Sequence, residues 1–591
     1  MRTNQFLNKI IRWRVKNISN QRFILILSVV VGVLSGLAAV ILKNAAYYTH
    51  LFVTNNFDFE NKNYLYLIFP IIGITLTVIF VRYFVKDNIS HGVSKVLFAI
   101  SKNGGKIKRH NNYSSVIAST LTVSFGGSVG LEAPIVLTGS SIGSTLGQLF
   151  RLNYKTITLL IGCGTAAGIA GIFKAPVAGI LFVIEVLMLD LTMNILLPVM
   201  LSAITASLVS YYFMGNGVLF SFNVTNHFYL SKVPYFIFLG ITAGFVSLYF
   251  TRFTMWIEKL FKKVEDFRLK IIIGGVIVGS LIFIFPSLYG EGYDALKMIL
   301  NGKGDVVFHS GILDFTKNHN LFLVLIPLLI LFVKIIAMAS TNGAGGIGGV
   351  FAPSLFIGGV TGYLVVKLLN LIGITNVSES NFALVGMAGV MAGVMHSPLT
   401  AIFLIAEITG GYELLPPLII TSVISYLTIH HFEPHSIYSK RLAERGELMT
   451  HHKDKAVLSL MKINKLIETN FSPILLDATL GDLVKSIATC TRNVFPVLNE
   501  DNYFMGVVVM DDIRKIMFDV DKYETTFVRD LMISPEMNVD YDDTMETIVH
   551  KFNKTGNYNL PVLKEGKYMG FVSRANIFSA YRKMNQDFSE D

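Results

Sequence analysis

Glu132 is a lone acid inside a glycine-rich phrase, Gly126-Gly127-Ser128-Val129-Gly130-Leu131-Glu132-Ala133-Pro134. The chain carries that phrase a second time as Gly345-Gly346-Ile347-Gly348-Gly349-Val350-Phe351-Ala352-Pro353. Glycine lets the backbone turn freely and proline is tolerated in the first turn of a helix, so each copy reads as a loop feeding a helix N-terminus. Such an end exposes unpaired N–H groups at the positive pole of the helix dipole and favours an anion. A carboxylate placed there can occupy the anion's position itself, and protonation or displacement then clears it. Phe351, at the matched position, has no proton to give; it offers backbone N–H groups and a ring beside them. The plainer readings are a first-turn carboxylate for Glu132 and ordinary packing for Phe351.

The elements that position these loops must lie in a membrane. Of 591 residues 52% are hydrophobic and only 15% charged, and the mean hydropathy is +0.55, outside the soluble range. Residues 23–42 and 64–81 are charge-free apolar runs, and roughly 20 helical residues cross a hydrocarbon core of about 30 Å. The net charge of +10 follows membrane topology rather than nucleic acid. Lys9, Arg12, Arg14, Lys16 and Arg22 precede the first run, and Arg82, Lys86, Lys95, Lys102, Lys106, Lys108 and Arg109 follow the second. Between the runs Lys43 and Lys62 are offset by Asp58 and Glu60. The amino terminus and residues 82–110 are therefore expected in the cytoplasm. The first run lacks a small-residue cleavage site and is expected to stay as a helix. Cys163 and Cys490 are far apart and indicate neither a disulfide framework nor a metal site.

From about residue 113 to 430, apolar segments follow one another, several of them too short to span alone, such as 134–150, 176–187 and 398–408. Broken helices are tolerated at membrane depth where they are buried in protein or line a hydrated cavity. A second repeat aligns Gly164–Pro176 and its continuation to Glu185, without gaps, on Gly386–Pro398 and its continuation to Glu407. An all-α membrane domain with an internal, inverted repeat is expected. The small residues of 164–171 and 386–393 read as close helix packing. Glu185 and Glu407, at matched positions, are expected to bond backbone N–H groups of a neighbouring loop. Lys174 reads as a snorkelling lysine, His396 as a satisfied polar group, and residues 252–270 as a charged amphipathic connector.

Polar and charged residues dominate 433–455, and a soluble α/β tail begins there. Within it, Asn493–Leu498 and Met505–Met510 read as paired strands followed by a helix from Asp511, and Asn559–Leu563, Met569–Ser573 and a helix from Arg574 repeat the design.

These residues resemble two known families. The membrane portion is similar to the CLC family of chloride channels and chloride/proton exchangers, and the tail to a tandem pair of CBS modules. On that resemblance the chain divides into a cytoplasmic segment 1–22, a transport domain 23–442 and a CBS region 443–591, with modules at about 465–520 and 528–582. Glu132 stands at the family's gating glutamate. The anion-binding positions are His91, Gly92, Gly130, Leu131, Gly349, Val350, Phe351, Ala352 and Tyr438. Two departures matter: His91 stands where the family's first loop has a central serine, and Val186 where typical exchangers carry an inner proton-transfer glutamate. Channels commonly have valine there, so the resemblance leans to a chloride channel, with a chloride/proton antiporter as the alternative. It further implies a homodimer in the plasma (inner) membrane of a prokaryote, both termini cytoplasmic, with chloride, the lipid bilayer and, in the antiporter alternative, protons as partners. No cofactor or metal is required; adenine nucleotide at Asp512, Ser573 and Asn576 is the one candidate ligand of the tail, where a Ser and an Asp three residues on commonly hold ribose and each module here keeps half the pattern.

A CBS-containing divalent-cation transporter is the rival membrane reading, but hard cations need clustered carboxylates and the membrane segments hold few, scattered acids. An enzyme would need a paired base and nucleophile, which the motifs do not supply.

Overall fold

The uninterrupted apolar runs become long helices. In the computed structural model, which describes residues 11–54, 64–188, 192–220, 228–309, 322–374, 377–444, 461 and 463–589, the first run lies inside α1 (Asn20–Thr54) and the second inside α2 (Leu65–Ile79), prolonged by a π-helical turn to Val85. The flanking charges Lys9, Asp58, Glu60 and Lys62, and the transition over 445–460, lie outside the described residues. Helices then follow in order: α3 (Gly92–Ser101), α4 (Ser114–Ser124), α5 (Glu132–Leu149), α6 (Tyr154–Phe173), α7 (Pro176–Glu185), α8 (Met193–Met214), α9 (Val233–Lys263) and α10 (Phe267–Ile284). Next come α11 (Tyr293–Leu300), α12 (Phe322–Gly343), α13 (Phe351–Leu371), α14 (Glu379–Met395), α15 (Pro398–Thr409), α16 (Leu415–Phe432) and α17 (Ile437–Ala443). Among the described residues nine helices are long and apolar enough to cross a membrane, and the short ones, α7 and α15 among them, are interleaved with these. The chain is an integral multi-pass membrane protein.

Small residues hold the repeats together as expected. A Cβ on Gly139 of α5 would collide with the carbonyl oxygen of Gly164 on α6, and one on Gly164 would collide with that of Gly139. The second copy repeats the contact between Gly358 of α13 and Gly386 of α14. Backbones meet at these crossings, which leaves no room for any side chain.

The matched acids show how the repeats relate. Glu185, at the end of α7, accepts hydrogen bonds from Leu399 N at 2.9 Å and from Thr400 N and Oγ1 at 2.7 Å, at the start of α15. Glu407, near the end of α15, accepts from Val177 N at 3.1 Å and Ala178 N at 2.9 Å, at the start of α7. Each acid thus satisfies orphan N–H donors of the other repeat's helix. The reciprocal pairing requires the matched helices to run antiparallel, which is the mark of an inverted repeat.

Two expectations are corrected. Residues 252–270 are not one connector helix: α9 continues through Arg252 to Lys263, Val264–Asp266 breaks the chain, and α10 starts at Phe267 with Asp266 as N-cap. Within that stretch Glu258 is buried, not solvated. Lys174 keeps its ammonium at an exposed position, as a snorkelling lysine does, and there donates to the carbonyls of Gly215 at 2.6 Å and Gly217 at 2.9 Å, just past the end of α8. His396, in the same left-handed slot of the second repeat (φ 55 against 57 for Lys174), is not satisfied: its buried Nε2 has no partner among the described residues, and its ring packs edge-on to Tyr426 and His430.

The tail is a separate compact unit, Met449–Asp591. It holds two three-stranded sheets of the same design, a short parallel strand beside an antiparallel hairpin: β1 (Ile474–Leu475), β2 (Val494–Leu498) and β3 (Phe504–Val509), then β4 (Val539–Asp540), β5 (Asn559–Lys564) and β6 (Lys567–Ser573). Each hairpin feeds a helix, from Met510 and from Arg574, as the turn and strand patterns predict.

Candidate functional site

The two glycine-rich loops cross. Gly130 N donates to Gly349 O at 3.0 Å and Gly349 N to Gly130 O at 2.7 Å, a small antiparallel bridge between the repeats. Gly126 and Gly345 turn the two loops with matching left-handed φ of 93° and 103°. The bridge brings the N-terminus of α5 beside that of α13, so two sets of unpaired N–H groups and two positive dipole ends share one buried place.

Glu132 lies in that place. It is the first residue of α5 and is 1% exposed. Its Oε1 accepts a 2.7 Å hydrogen bond from the Tyr293 hydroxyl. Its Oε2 has no hydrogen-bond partner among the described residues and folds over the crossing, 3.2 Å from where a Cβ on Gly349 would stand and overlapping the place of one on Gly130. At Gly130 the carboxylate takes the space a side chain would need, while at Gly349 that space is shared between the carboxylate and Ala133. A buried unpaired oxygen costs about 1–3 kcal/mol, offset here only by the helix ends.

The other expected site residues gather around the crossing. Leu131 and Val350 are the N-cap residues of α5 and α13, and Ala352 packs against Gly130. Phe351 is 2% exposed, with its ring stacked on Phe173 at 5.3 Å and tilted toward Phe182 at 6.5 Å. The loop before α3 reaches α5 through Gly92, where a Cβ would collide with the carbonyl of Ala133. Asp87 and Lys95, bonded at 3.0 Å, close that loop. Burial opposes ionisation of Asp87, but hydrogen bonds from Lys95 and Lys108 prevail and hold its carboxyl at about 2. Ser94 Oγ donates to Tyr438 O at 2.9 Å and so ties the start of α3 to the first turn of α17, where Tyr438 is buried.

His91 caps α3 in the left-handed region, φ 54. Its Nε2 lies 3.8 Å from Oε2 of Glu258, which Arg441 of α17 grips with both Nη2 at 2.6 Å and Nε at 3.2 Å. We expect His91→Ser to change anion preference or the acidic limb of the pH profile of flux, since it exchanges a ring that reaches Glu258 for a short hydroxyl. Unchanged selectivity and pH profile would leave His91 a structural role. Val186, buried at the C-terminal end of α7, presents no carboxylate beside Glu185.

Four residues escaped the sequence reading: Tyr293 and Glu291 at the gate side, Glu258 and Arg441 beside His91. The alternation Gly290-Glu291-Gly292-Tyr293 was a signal for the first pair; for the second there was none, because Glu258 sits in a stretch that reads as solvated.

A sequence model of the family described as voltage gated chloride channel matches residues 73–430, a span that contains the crossing, Glu132 and both repeats. The chain belongs to that family. Residues 528–583 match the CBS domain. Among relatives of the voltage-gated chloride channel family, the putative chloride channel protein ClcB-like of Ralstonia nicotianae is 29% identical over 388 residues, 64% of this chain and 86% of that protein. The voltage-gated ClC-type chloride channel ClcB of Citrobacter koseri is 30% identical over 339 residues, 56% of this chain and 75% of its own. Two solved structures share the fold: a slow cyanobacterial Cl-/H+ antiporter, with TM-score 0.61 at 21% identity over 73% of this chain and 99% of that one, and a eukaryotic CLC transporter, with TM-score 0.60 at 17% identity over 94% and 99%.

In the CBS region Ser573 and Asn576 lie in one module and Asp512 in the other. Ser573 Oγ is bonded to the Glu468 carboxylate and accepts Asn576 N at 3.1 Å, while Asn576 Nδ2 donates to Leu466 O at 3.3 Å. Arg492 binds the same Glu468. Asp512 is exposed in the other module, in the helix that begins at Met510.

Proposed function

We propose that the chain is a chloride channel whose pathway is closed when the Glu132 carboxylate occupies the anion site at the loop crossing, and opened when protonation or chloride displaces it. The unpartnered Oε2 of Glu132, set at two helix N-termini, carries this reading: it holds the position where an anion would be stabilised. The anion-binding groups are then the backbone N–H groups of Val350–Ala352 at the start of α13, with His91, Gly92 and Tyr438 toward the inner side, whereas the N–H groups of Gly130, Leu131 and Gly349 are already bonded to Gly349 O, Glu291 Oε1 and Gly130 O. The divalent-cation reading has less to rest on, since among the described residues no group of three or more His, Cys, Asp or Glu side chains could hold a metal.

The alternative, chloride/proton exchange, has one observation in its favour. Glu258 is a buried acid beside His91 and could stand in for the carboxylate that Val186 lacks. Its bidentate bond to Arg441 argues against that role, because taking one partner from a buried ion pair costs about 3–5 kcal/mol. We therefore expect a chloride gradient to drive little proton movement into vesicles containing the protein. The measurement is chloride efflux with simultaneous pH recording; a fixed, substantial chloride-to-proton ratio overturns the channel reading.

The chain is taken to act as a homodimer, on the family resemblance. For the tail, adenine nucleotide must displace Glu468 to reach Ser573. We expect weak binding at most, confined to the second module and strengthened by Glu468→Ala, in calorimetry with ATP, ADP and AMP. Strong heat with the wild type that Ser573→Ala does not reduce would place the nucleotide elsewhere.

A further inference from the structure

The gate carboxylate is held by a wall that neither glycine loop supplies. Residues 288–293 connect α10 to α11 and lie against the first loop along its length. Tyr289 Oη donates to Ser124 O at 2.7 Å, Ser128 Oγ donates to Leu288 O at 2.8 Å, and Leu131 N donates to Glu291 Oε1 at 3.3 Å. Lys334 of α12, fully buried, clamps both sides by donating to Ser128 Oγ at 2.8 Å and to the carbonyls of Leu288 and Gly290 at 3.2 Å. Gly290 and Gly292 bend the segment with φ of 56° and 82°, and a Cβ on Gly292 would stand 2.7 Å from the Phe356 ring. The segment is therefore fixed on several sides, and it ends at Tyr293, whose ring meets Phe220 edge-on at 5.6 Å and whose hydroxyl bonds Glu132.

We propose that Tyr293 is the latch of the gate: its hydroxyl holds the Glu132 side chain in the closed position, and the clamped 288–293 segment sets where that position is. The proposal rests on the reading of Glu132 as the gate. A phenol O–H donates more strongly to a carboxylate than to a neutral carboxyl group, so the latch grips the ionised gate and loosens on protonation. The charged and titratable groups around the pair are Glu291 on the same segment, Lys334 from α12, Lys43 from α1 and Tyr438 from α17. Glu291, bonded to the residue next to the gate, fixes the segment. Tyr293 is a positioning residue, since it touches the gate and not the anion.

Chloride efflux from vesicles containing the full chain, recorded as a function of pH, tests the latch in a double-mutant cycle with Glu132→Ala. Tyr293→Phe keeps the ring and removes only the hydroxyl. It should raise efflux about tenfold on the alkaline side, the factor expected of one charge-assisted hydrogen bond, and change it little on the acidic side. In the Glu132→Ala background the same substitution should have no effect. A Tyr293→Phe profile that superimposes on the wild type overturns the latch, and so does an equal effect in both backgrounds, which would mark a purely structural tyrosine. A Glu132→Ala profile that keeps the wild-type pH dependence overturns the gate itself and the latch with it.

Discussion

Glu132→Gln is expected to abolish most of the pH dependence of chloride flux and to leave flux at neutral pH at or above the wild-type level. The amide has the shape of the carboxylate without its charge, so it loses the attraction of two helix N-termini, each worth about 0.3–1 kcal/mol at exposed sites and up to about 2 when partly buried. A closed state weakened by both ends together is populated about 3- to 30-fold less at the exposed-site values, and up to nearly a thousandfold less at about 2 kcal/mol each. Gly130→Ala should push the same way by a different cause, because its methyl group would overlap Glu132 Oε2, the free end of a side chain that can swing aside. Efflux from vesicles across the acid-to-neutral range decides both, and a Glu132→Gln profile with wild-type pH dependence sinks the gate assignment.

Gly139→Ala and Gly164→Ala are expected to lower the amount of folded protein and its thermal midpoint in detergent sharply. The atom each new methyl group meets is a backbone carbonyl oxygen in the middle of the facing helix, which cannot move without breaking helix bonds. Overpacking of this kind costs about 1–3 kcal/mol and at times more, well beyond the gain of up to about 1 kcal/mol from replacing glycine in a helix. Gly411→Ala is the control, since nothing lies within 4 Å of where its Cβ would stand. The pH profile of whatever folded protein remains should stay that of the wild type. Wild-type thermal midpoints for both substitutions would mean that the glycines are not held at the backbone contact.

Much of the architecture was legible from local pattern. A Gly-rich loop followed by Ala-Pro starts a helix wherever it occurs, and Glu132 and Phe351 indeed open α5 and α13. Alternating strands around a turn announce a hairpin by themselves, and β2–β3 and β5–β6 fall within a residue or two of the expected bounds. Even the role of Glu185 and Glu407 was readable, because matched positions in a repeat imply matched partners. Lys174 and His396 show where that logic fails. Their backbone slots are the same, yet one faces the carbonyls after α8 and the other a pair of aromatic rings, and a duplicated sequence does not duplicate its surroundings. Residues 252–270 misled for a related reason: helical charge spacing signals a solvated face only if solvent is there, and α17 covers Glu258 with Arg441.

What the sequence by itself determined is the set of local decisions: which segments are helices, which loops offer N–H groups, and which one of them bears an acid. The tertiary structure alone decided who meets that acid. Tyr293 lies 161 residues from Glu132, Gly349 even further from Gly130, and Arg441 183 residues from Glu258. Contacts across such separations leave no periodicity in the chain, since they follow from how helices cross and not from how any one of them is built. The gate could be named from its own residues, but its latch became visible only when the 288–293 segment was seen folded against it.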